Sequence, residues 1–169
     1  MKISKHPYDL KTQLKEFPQS AFGHDRKFYI HPGVDIYLPL YTPIISPLEG
    51  IVVEQGVFTG DLIGSPWWNY TEYVVVKYND YFILYGEIDI HQTMDGYRLS
   101  VGDKRGGYDY NIGLVMQVLK DNPDRQFINS PTMLHLEMYS KPPFAVTWEI
   151  GKPKPENLLD PTDWLLNDC

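Results

Sequence analysis

Short runs of strand-forming residues, divided by turn residues, constrain the fold of this chain more than any other feature. The dividing residues include 14 prolines and 13 glycines, and Phe, Trp and Tyr make up 14% of the chain. β-Branched and aromatic residues favour strands, whereas Pro and Gly favour the turns between them. The pattern predicts an all-β fold, with strands at 33–39, 50–58, 73–79, 81–88, 112–119 and 134–140.

The connections between these runs carry further signals. Asn79 and Asp80 lie between two runs, and both residue types tolerate the positive φ of a two-residue turn, so we expect 73–88 to form an antiparallel hairpin. Five prolines in 141–161 predict a strap over the surface, because proline cannot donate to a sheet ladder. Apolar spacing predicts only short peripheral helices, at 8–17 and 160–168.

Charge and hydropathy exclude two classes of partner. The formal net charge is −7 and the basic residues are scattered, so no surface suited to a phosphate backbone, and no nucleic acid partner, is expected. No run approaches the roughly 20 apolar residues that span a bilayer, and the first residues lack the apolar stretch of a secretory leader. The expected location is the compartment of synthesis, unless a dedicated route exports the protein or a leader was trimmed.

The stretch HPGVDI contains two residue types that bind metals. Its proline and glycine disfavour a helix, so the chain is expected to enter a strand here. His31 and Asp35 lie four apart, and side chains at that spacing on extended backbone point the same way. Imidazole nitrogen and carboxylate oxygen are both good zinc ligands.

A further histidine stands in the run MLHLEMY. Period-two alternation places Met133, His135 and Glu137 on one face of that strand. Two histidines and one carboxylate leave a fourth zinc position for water, as in catalytic sites. The residues alone leave two interpretations, a zinc site formed by His31, Asp35 and His135, or a hydrogen-bonded turn histidine and a buried strand histidine. Glu137 either orients His135 or is an ordinary outward-facing strand acid.

Several motifs follow one another in a fixed order along the chain. FGHDRKFYIHPGVDIYLPLYTPIISPLEGIVV occupies 22–53, a hairpin pattern follows at 73–88, and LSVGDKRGGYDYNIGLVMQV occupies 99–118. MLHLEMY and then LDPTDWL, at 159–165, close the series. In this order the motifs resemble those of the lysostaphin-type, or LytM-like, zinc metallopeptidases over about residues 22–165. The order of the motifs supports the resemblance more than any single motif does.

The resemblance implies a twisted antiparallel β-sheet core of the barrel-sandwich, duplicated-hybrid type with zinc in a groove. It also implies hydrolysis of peptide bonds in bacterial cell-wall cross-bridges or stems, and therefore a peptidoglycan peptide as partner. The family's three zinc ligands fall on His31, Asp35 and His135. The implied divisions of the chain are an N-terminal extension at 1–21, a peptidase-type β domain at 22–165 and a C-terminal tail at 166–169.

Two positions depart from the family pattern. The family has two further histidines that do not bind zinc but handle protons and stabilise an oxyanion, and Glu87 and Met133 hold their places here. A thioether cannot donate a proton, so the role at Met133 is lost. Glu87 has three interpretations: a general base, a fourth metal ligand that closes the site, or an exposed acid at a strand end. His91 either supplies an imidazole, if the strand bends, or lies in a solvated loop.

Adjacent aromatic residues mark the segment PWWNY. Beside a groove, Trp67 and Trp68 would stack on sugar rings or grip a peptide. In an all-β domain, one tryptophan more often closes the core while the other caps it. The sequence leaves both interpretations open.

Three functions fit these features. The first is a zinc peptidase or amidase-like hydrolase with Glu87 as general base and low or altered activity. The second, which the missing histidines favour, is a pseudoenzyme that keeps the zinc site and binds peptidoglycan or a partner protein. The third is a lipoyl or biotinyl carrier, suggested by IISPLEGIVV and a later VGD. A carrier needs a lysine at a hairpin tip, which Lys104 does not provide, and has no use for the three candidate ligands.

Overall fold

Strands dominate the residues that the computed structural model describes, which are 10–90, 98–99, 112–116 and 132–167. The two α-helices described are α1 (Leu10–Glu16) and α2 (Thr162–Asn167), and short 3-10 helices lie at Pro18–Ser20 and Asp61–Ile63. The strands described are β1 (Val34–Tyr37), β2 (Pro43–Ile44), β3 (Gly50–Thr59), β4 (Thr71–Tyr78), β5 (Tyr81–Asp89), β6 (Arg98–Leu99), β7 (Gly113–Val115), β8 (Met133–Tyr139) and β9 (Leu158–Leu159).

These strands form one antiparallel sheet. Its main path runs in the order β1–β8–β5–β4–β3–β6, while β7 pairs with both β2 and β5, and β9 pairs with β8. The prediction of an all-β fold with an antiparallel sheet and a few short helices is therefore confirmed. Among the described residues, neither helix is long and apolar enough to cross a bilayer.

The β4–β5 hairpin lies at the centre of this sheet. Tyr78 pairs with Tyr81 across the two-residue turn, as the sequence predicts. Of the two turn residues only Asn79 takes a positive φ, of 26°. The tolerance of asparagine for that region therefore matters at the first turn position, and Asp80 occupies ordinary backbone space.

Apolar side chains cover both faces of the central hairpin. Val74 and Val76 belong to the larger core cluster, whereas Val75 between them belongs to a smaller cluster on the opposite face. All three are fully buried, and burial of each such side chain stabilises the fold by roughly 1.5–3 kcal/mol. Trp164 and Leu165 of α2 complete the larger cluster.

The proline-rich segment 141–161 is more than a surface strap. Its residues Leu158 and Leu159 form β9 and pair with the end of β8. This pairing is possible because no proline stands between Pro155 and Pro161, so the intervening backbone keeps its N–H donors. The predicted strand at 112–119 is described only as far as residue 116, and its last residues lie outside the described part of the chain.

Helix α1 is tied to the sheet rather than lying free at the periphery. Gln13 is only 2% exposed. Its side-chain Nε2 donates to the Tyr37 carbonyl at 3.2 Å, and its Oε1 accepts from the Tyr37 N–H at 3.0 Å. Because Tyr37 ends β1, this helix supports the strand that carries Asp35.

Candidate metal centre

Sheet register brings three metal-binding residue types together. Asp35 of β1 lies directly opposite His135 of β8, and His31 precedes Asp35 by four residues on the turn that leads into β1. One ligand atom from each side chain lies within 4.8 Å of the other two. All three side chains are buried. The three residues that the sequence predicts as metal ligands therefore meet at one point.

The spacing of these atoms suits a single zinc ion. Asp35 Oδ1 lies 2.8 Å from His135 Nδ1 and 3.2 Å from His31 Nε2, and the two nitrogens are 3.3 Å apart. Zinc bonds of about 2.0–2.2 Å in a tetrahedron place neighbouring ligand atoms roughly 3.3 Å apart. The donor set therefore fits zinc, and the Asp35–His135 pair would need to separate by only about 0.5 Å to reach that geometry.

Hydrogen bonds on the far side of each imidazole select the nitrogen that faces the site. His135 Nε2 lies 3.0 Å from Glu137 Oε1, which leaves Nδ1 toward Asp35. His31 Nδ1 lies 2.9 Å from the Ala21 carbonyl oxygen, which leaves Nε2 toward the site. A carboxylate or carbonyl on the second nitrogen is the usual means of fixing a metal-binding histidine. Glu137 thus orients His135, and the outward-facing interpretation of Glu137 is wrong.

Glu137 is itself held by its neighbours. The Tyr139 hydroxyl donates to Glu137 Oε2, and the same hydroxyl accepts from the Val146 N–H at 3.2 Å. Because residues 135, 137 and 139 are two positions apart along β8, all three side chains share one face. On that face Phe58 packs against the His135 ring, with centroids 5.2 Å apart, and supplies an apolar wall.

Arg26 also belongs to this cluster, although its sequence position does not predict it. Its Nη2 donates to Asp35 Oδ2 in an ion pair, and lies 3.3 Å from Nε2 and 3.4 Å from Nδ1 of His31. Arg26 lies nine residues before Asp35 in an irregular segment. Neither strand nor helix spacing relates the two positions, so the sequence alone offers no signal for this contact.

Burial and hydrogen bonding act against each other on the charges of the cluster. Burial raises the pKa of Asp35, but hydrogen bonds with His135 and His31 outweigh it and hold that pKa well below its usual value. Burial lowers the pKa of His135, but hydrogen bonds with Asp35 and Glu137 outweigh it and raise that pKa to about 10. Burial dominates at His31, where the pKa is lowered. The hydrogen bonds with Asp35 and Glu137 favour the protonated form of His135, with which a metal ion bound here would compete.

Glu87 lies at a β-bulge in β5. Two residues of β5, Gly86 and Glu87, lie opposite the single residue Tyr73 of β4. The φ of Glu87 is 64°. Its side chain is 7% exposed, and its carbonyl accepts from the Met116 N–H at 3.0 Å beside β7. The interpretation of Glu87 as an exposed acid is wrong, because the residue is buried where β7 pairs with the end of β5. Within the described residues, Glu87 is not part of the three-residue ligand cluster.

Met133 begins β8 and lies opposite Tyr37 of β1. It is partly buried and, by alternation, belongs to the same strand face as His135. The strand face that carries His135 therefore has a thioether at the position two residues before it. His91 and Lys104 lie outside the described residues.

The two tryptophans lie in the connection between β3 and β4. Trp67 is 56% exposed, Trp68 is partly buried, and neither belongs to the core clusters of the described residues. Asn69, which follows them, donates from Nδ2 to the Met116 carbonyl at 2.7 Å and ties this connection to the end of β7. A role for Trp67 and Trp68 in binding stays a prediction.

No protein-family model matches the chain, and no curated protein matches it. Solved structures do. The solution NMR structure of lysostaphin matches with a TM-score of 0.54 and 16% identity, over 88% of this chain and 49% of lysostaphin. LytU matches with a TM-score of 0.48 and 20% identity, over 85% of this chain and 80% of LytU.

A third solved structure is the catalytic domain of a point mutant of EnpA, a prophage-encoded M23 protein from Enterococcus faecalis. It matches with a TM-score of 0.49 and 18% identity, over 79% of this chain and 89% of that domain. Identity this low establishes the fold alone. The fold of this chain is thus the antiparallel β fold found in about half of the lysostaphin chain, in agreement with the resemblance of its sequence motifs.

Proposed function

We propose that this chain is a zinc-binding domain of the lysostaphin-type family, with His31, Asp35 and His135 as the metal ligands. The observation that carries the proposal is the meeting of three buried donor atoms, separated by 2.8–3.3 Å. Two of them come from His31 and Asp35, four residues apart, and the third comes from His135, 100 residues after Asp35. Hydrogen bonds at Ala21 and Glu137 orient both imidazoles toward that point. Structural support of this kind is typical of metal sites.

Bound zinc would supply Lewis-acid polarisation of a substrate carbonyl and a lowered pKa for a bound water. The chain's own residues supply the charge and the apolar wall of the proposed site. Asp35 contributes the negative charge of the ligand set, and the Phe58 ring packs against one side of His135. The proposed ligand on this chain is a peptidoglycan peptide or a partner protein, with Trp67 and Trp68 as candidate contacts for it.

We propose further that hydrolysis by this domain is impaired or altered. Met133 occupies the position at which the family has an oxyanion-stabilising histidine, and a thioether donates no hydrogen bond. Loss of one such donor costs roughly 2.7–4 kcal/mol, or about a hundredfold to a thousandfold in rate. The domain then serves mainly to bind a ligand or to regulate a partner.

The alternative is an active peptidase with Glu87 as general base. Two observations favour it: the Glu87 carboxylate is buried, and the bulge at this residue interrupts the regular alternation of β5. Bulges beside active sites commonly re-aim a side chain, and a carboxylate is a competent base in metal-assisted hydrolysis.

Metal content tests the ligand assignment. Protein purified without added metal is expected to contain about one zinc per chain by elemental analysis, and His31→Ala is expected to lose most of it. His24→Ala is the matched control, because His24 is a neighbouring histidine outside the cluster. Absence of zinc from the wild type, or equal zinc in His31→Ala, would end the proposal.

Catalysis is tested with purified peptidoglycan and with short glycine or D-alanyl peptides. We expect binding to peptidoglycan with little or no product, and more product from Met133→His. Rapid cleavage by the wild type that Glu87→Gln abolishes would establish the alternative. Cleavage that survives Glu87→Gln would exclude Glu87 as the base.

A further inference from the structure

Arg26 places a positive charge at the candidate metal centre. Its guanidinium Nη2 donates to Asp35 Oδ2 and lies 3.3 Å from His31 Nε2, the nitrogen assigned as a metal ligand. One nitrogen thus contacts two of the three candidate ligands. The Arg26 side chain is 24% exposed, while that of Asp35 is 2% exposed, so the charge reaches the site from the solvent side.

The chemistry of this contact resembles that of a bound cation. Arginine has donors and no acceptor, so Asp35 Oδ2 and His31 Nε2 are the acceptors for Nη2. His31 Nδ1 also lies 3.4 Å from Nη2, but its hydrogen bond is to the Ala21 carbonyl. The Ala21 carbonyl is the acceptor for the other ring nitrogen of His31, which agrees with Nε2 as the accepting nitrogen. A metal ion would use the same Asp35 carboxylate and the same Nε2 lone pair.

We propose that Arg26 is a built-in competitor of the metal. In the metal-free protein it holds Asp35 and His31 in place, and it opposes binding of a divalent cation, so that it sets the metal affinity below the value that the three ligands alone would give. The inference rests on the proposed zinc site and adds a residue that regulates its occupancy.

Charge repulsion gives the expected size of the effect. A divalent ion on Asp35 would lie about 5 Å from a guanidinium that stays paired with the same carboxylate, and even with the full screening of water that repulsion weakens binding by about tenfold. If Arg26 instead moves away, the lost ion pair opposes metal binding in the same direction. Either path predicts tighter zinc binding when the charge is removed.

The test compares Arg26→Met with Lys27→Met, which removes the same charge from the neighbouring exposed residue. Zinc affinity is measured by competition with a chromophoric chelator, and the thermal midpoint is measured in excess chelator. We expect Arg26→Met to bind zinc at least about tenfold more tightly and to unfold at a lower temperature without metal. Lys27→Met should stay within about twofold of the wild type in affinity. Arg26→Lys, which keeps the charge, should stay closer to the wild type than Arg26→Met.

The outcomes separate this inference from the proposed function. Tight zinc binding by Arg26→Met with none by the wild type supports the role of Arg26 and refutes a resident zinc in the wild type. Wild-type zinc binding that Arg26→Met leaves unchanged or weakens overturns the role of Arg26 alone. Absence of zinc from both overturns both. If Arg26→Met does not fold, Arg26→Gln, which removes the charge but keeps a donor, replaces it under the same criteria.

Discussion

Substitution of Gly33 by alanine gives the sharpest test of the site geometry. Gly33 lies two residues before Asp35, and its φ is not in the left-handed region, so space rather than backbone conformation requires glycine here. A Cβ at this position would collide with the Leu136 carbonyl oxygen and lie 2.9 Å from both Leu136 C and His135 Nε2. Ordinary carbon contacts need about 3.5–4.0 Å, so the two strands must separate by on the order of 1 Å.

This displacement has two consequences of predictable size. Over-packing of a well-packed site costs about 1–3 kcal/mol in the free energy of unfolding, and the Leu136 carbonyl is backbone that cannot rotate away. Metal bonds tolerate deviations of about 0.2 Å, and loss of supporting contacts around a site already weakens binding by about 10–100-fold. We therefore expect Gly33→Ala to bind zinc at least about tenfold more weakly than the wild type.

The assay pairs urea unfolding of the metal-free proteins with zinc titration, and Gly64→Ala is the control. Gly64 has a φ of 78°, and a Cβ added there would have no atom within 4 Å, so alanine costs about 1–2 kcal/mol through backbone conformation alone. It should lower stability comparably and leave zinc affinity unchanged. Wild-type zinc affinity in Gly33→Ala, or an equal loss in Gly64→Ala, would refute the reasoning.

Three further predictions follow from the same contacts. In the metal-free protein, hydrogen bonds raise the pKa of His135 from 6.5 to about 10 against the effect of burial, so its stabilising contribution is complete below pH 6.5 and disappears as the pH rises through 10. Urea unfolding should show the free energy of unfolding falling between about pH 7 and 10, and a flat profile would contradict this. Glu137→Ala should weaken zinc binding by about 10–100-fold in the chelator assay, because His135 loses its orienting partner, and unchanged affinity would remove Glu137 from the site. Trp67→Ala should reduce co-sedimentation with peptidoglycan while changing the free energy of unfolding by less than about 0.5 kcal/mol, whereas unreduced binding would exclude Trp67 as a contact.

Much of the fold could be predicted because strands follow local rules. The hairpin around Asn79 and the strand face shared by His135 and Glu137 both depend on residues within a few positions of one another. Alternation and turn preference act over that range. The pairing of Leu158 and Leu159 with β8 was missed, since no local pattern indicates which edge a two-residue strand will join.

The candidate site likewise combines features that the sequence predicts with features that only the tertiary structure shows. The sequence determined the donor types and the spacing of His31 and Asp35, and the order of the motifs selected His135. Only the tertiary structure decided that Asp35 lies opposite His135, that Arg26 contacts the same carboxylate, and that Glu87 is buried at a bulge. Contacts between residues far apart in the chain depend on sheet register and side-chain packing, which periodicity along one strand does not specify.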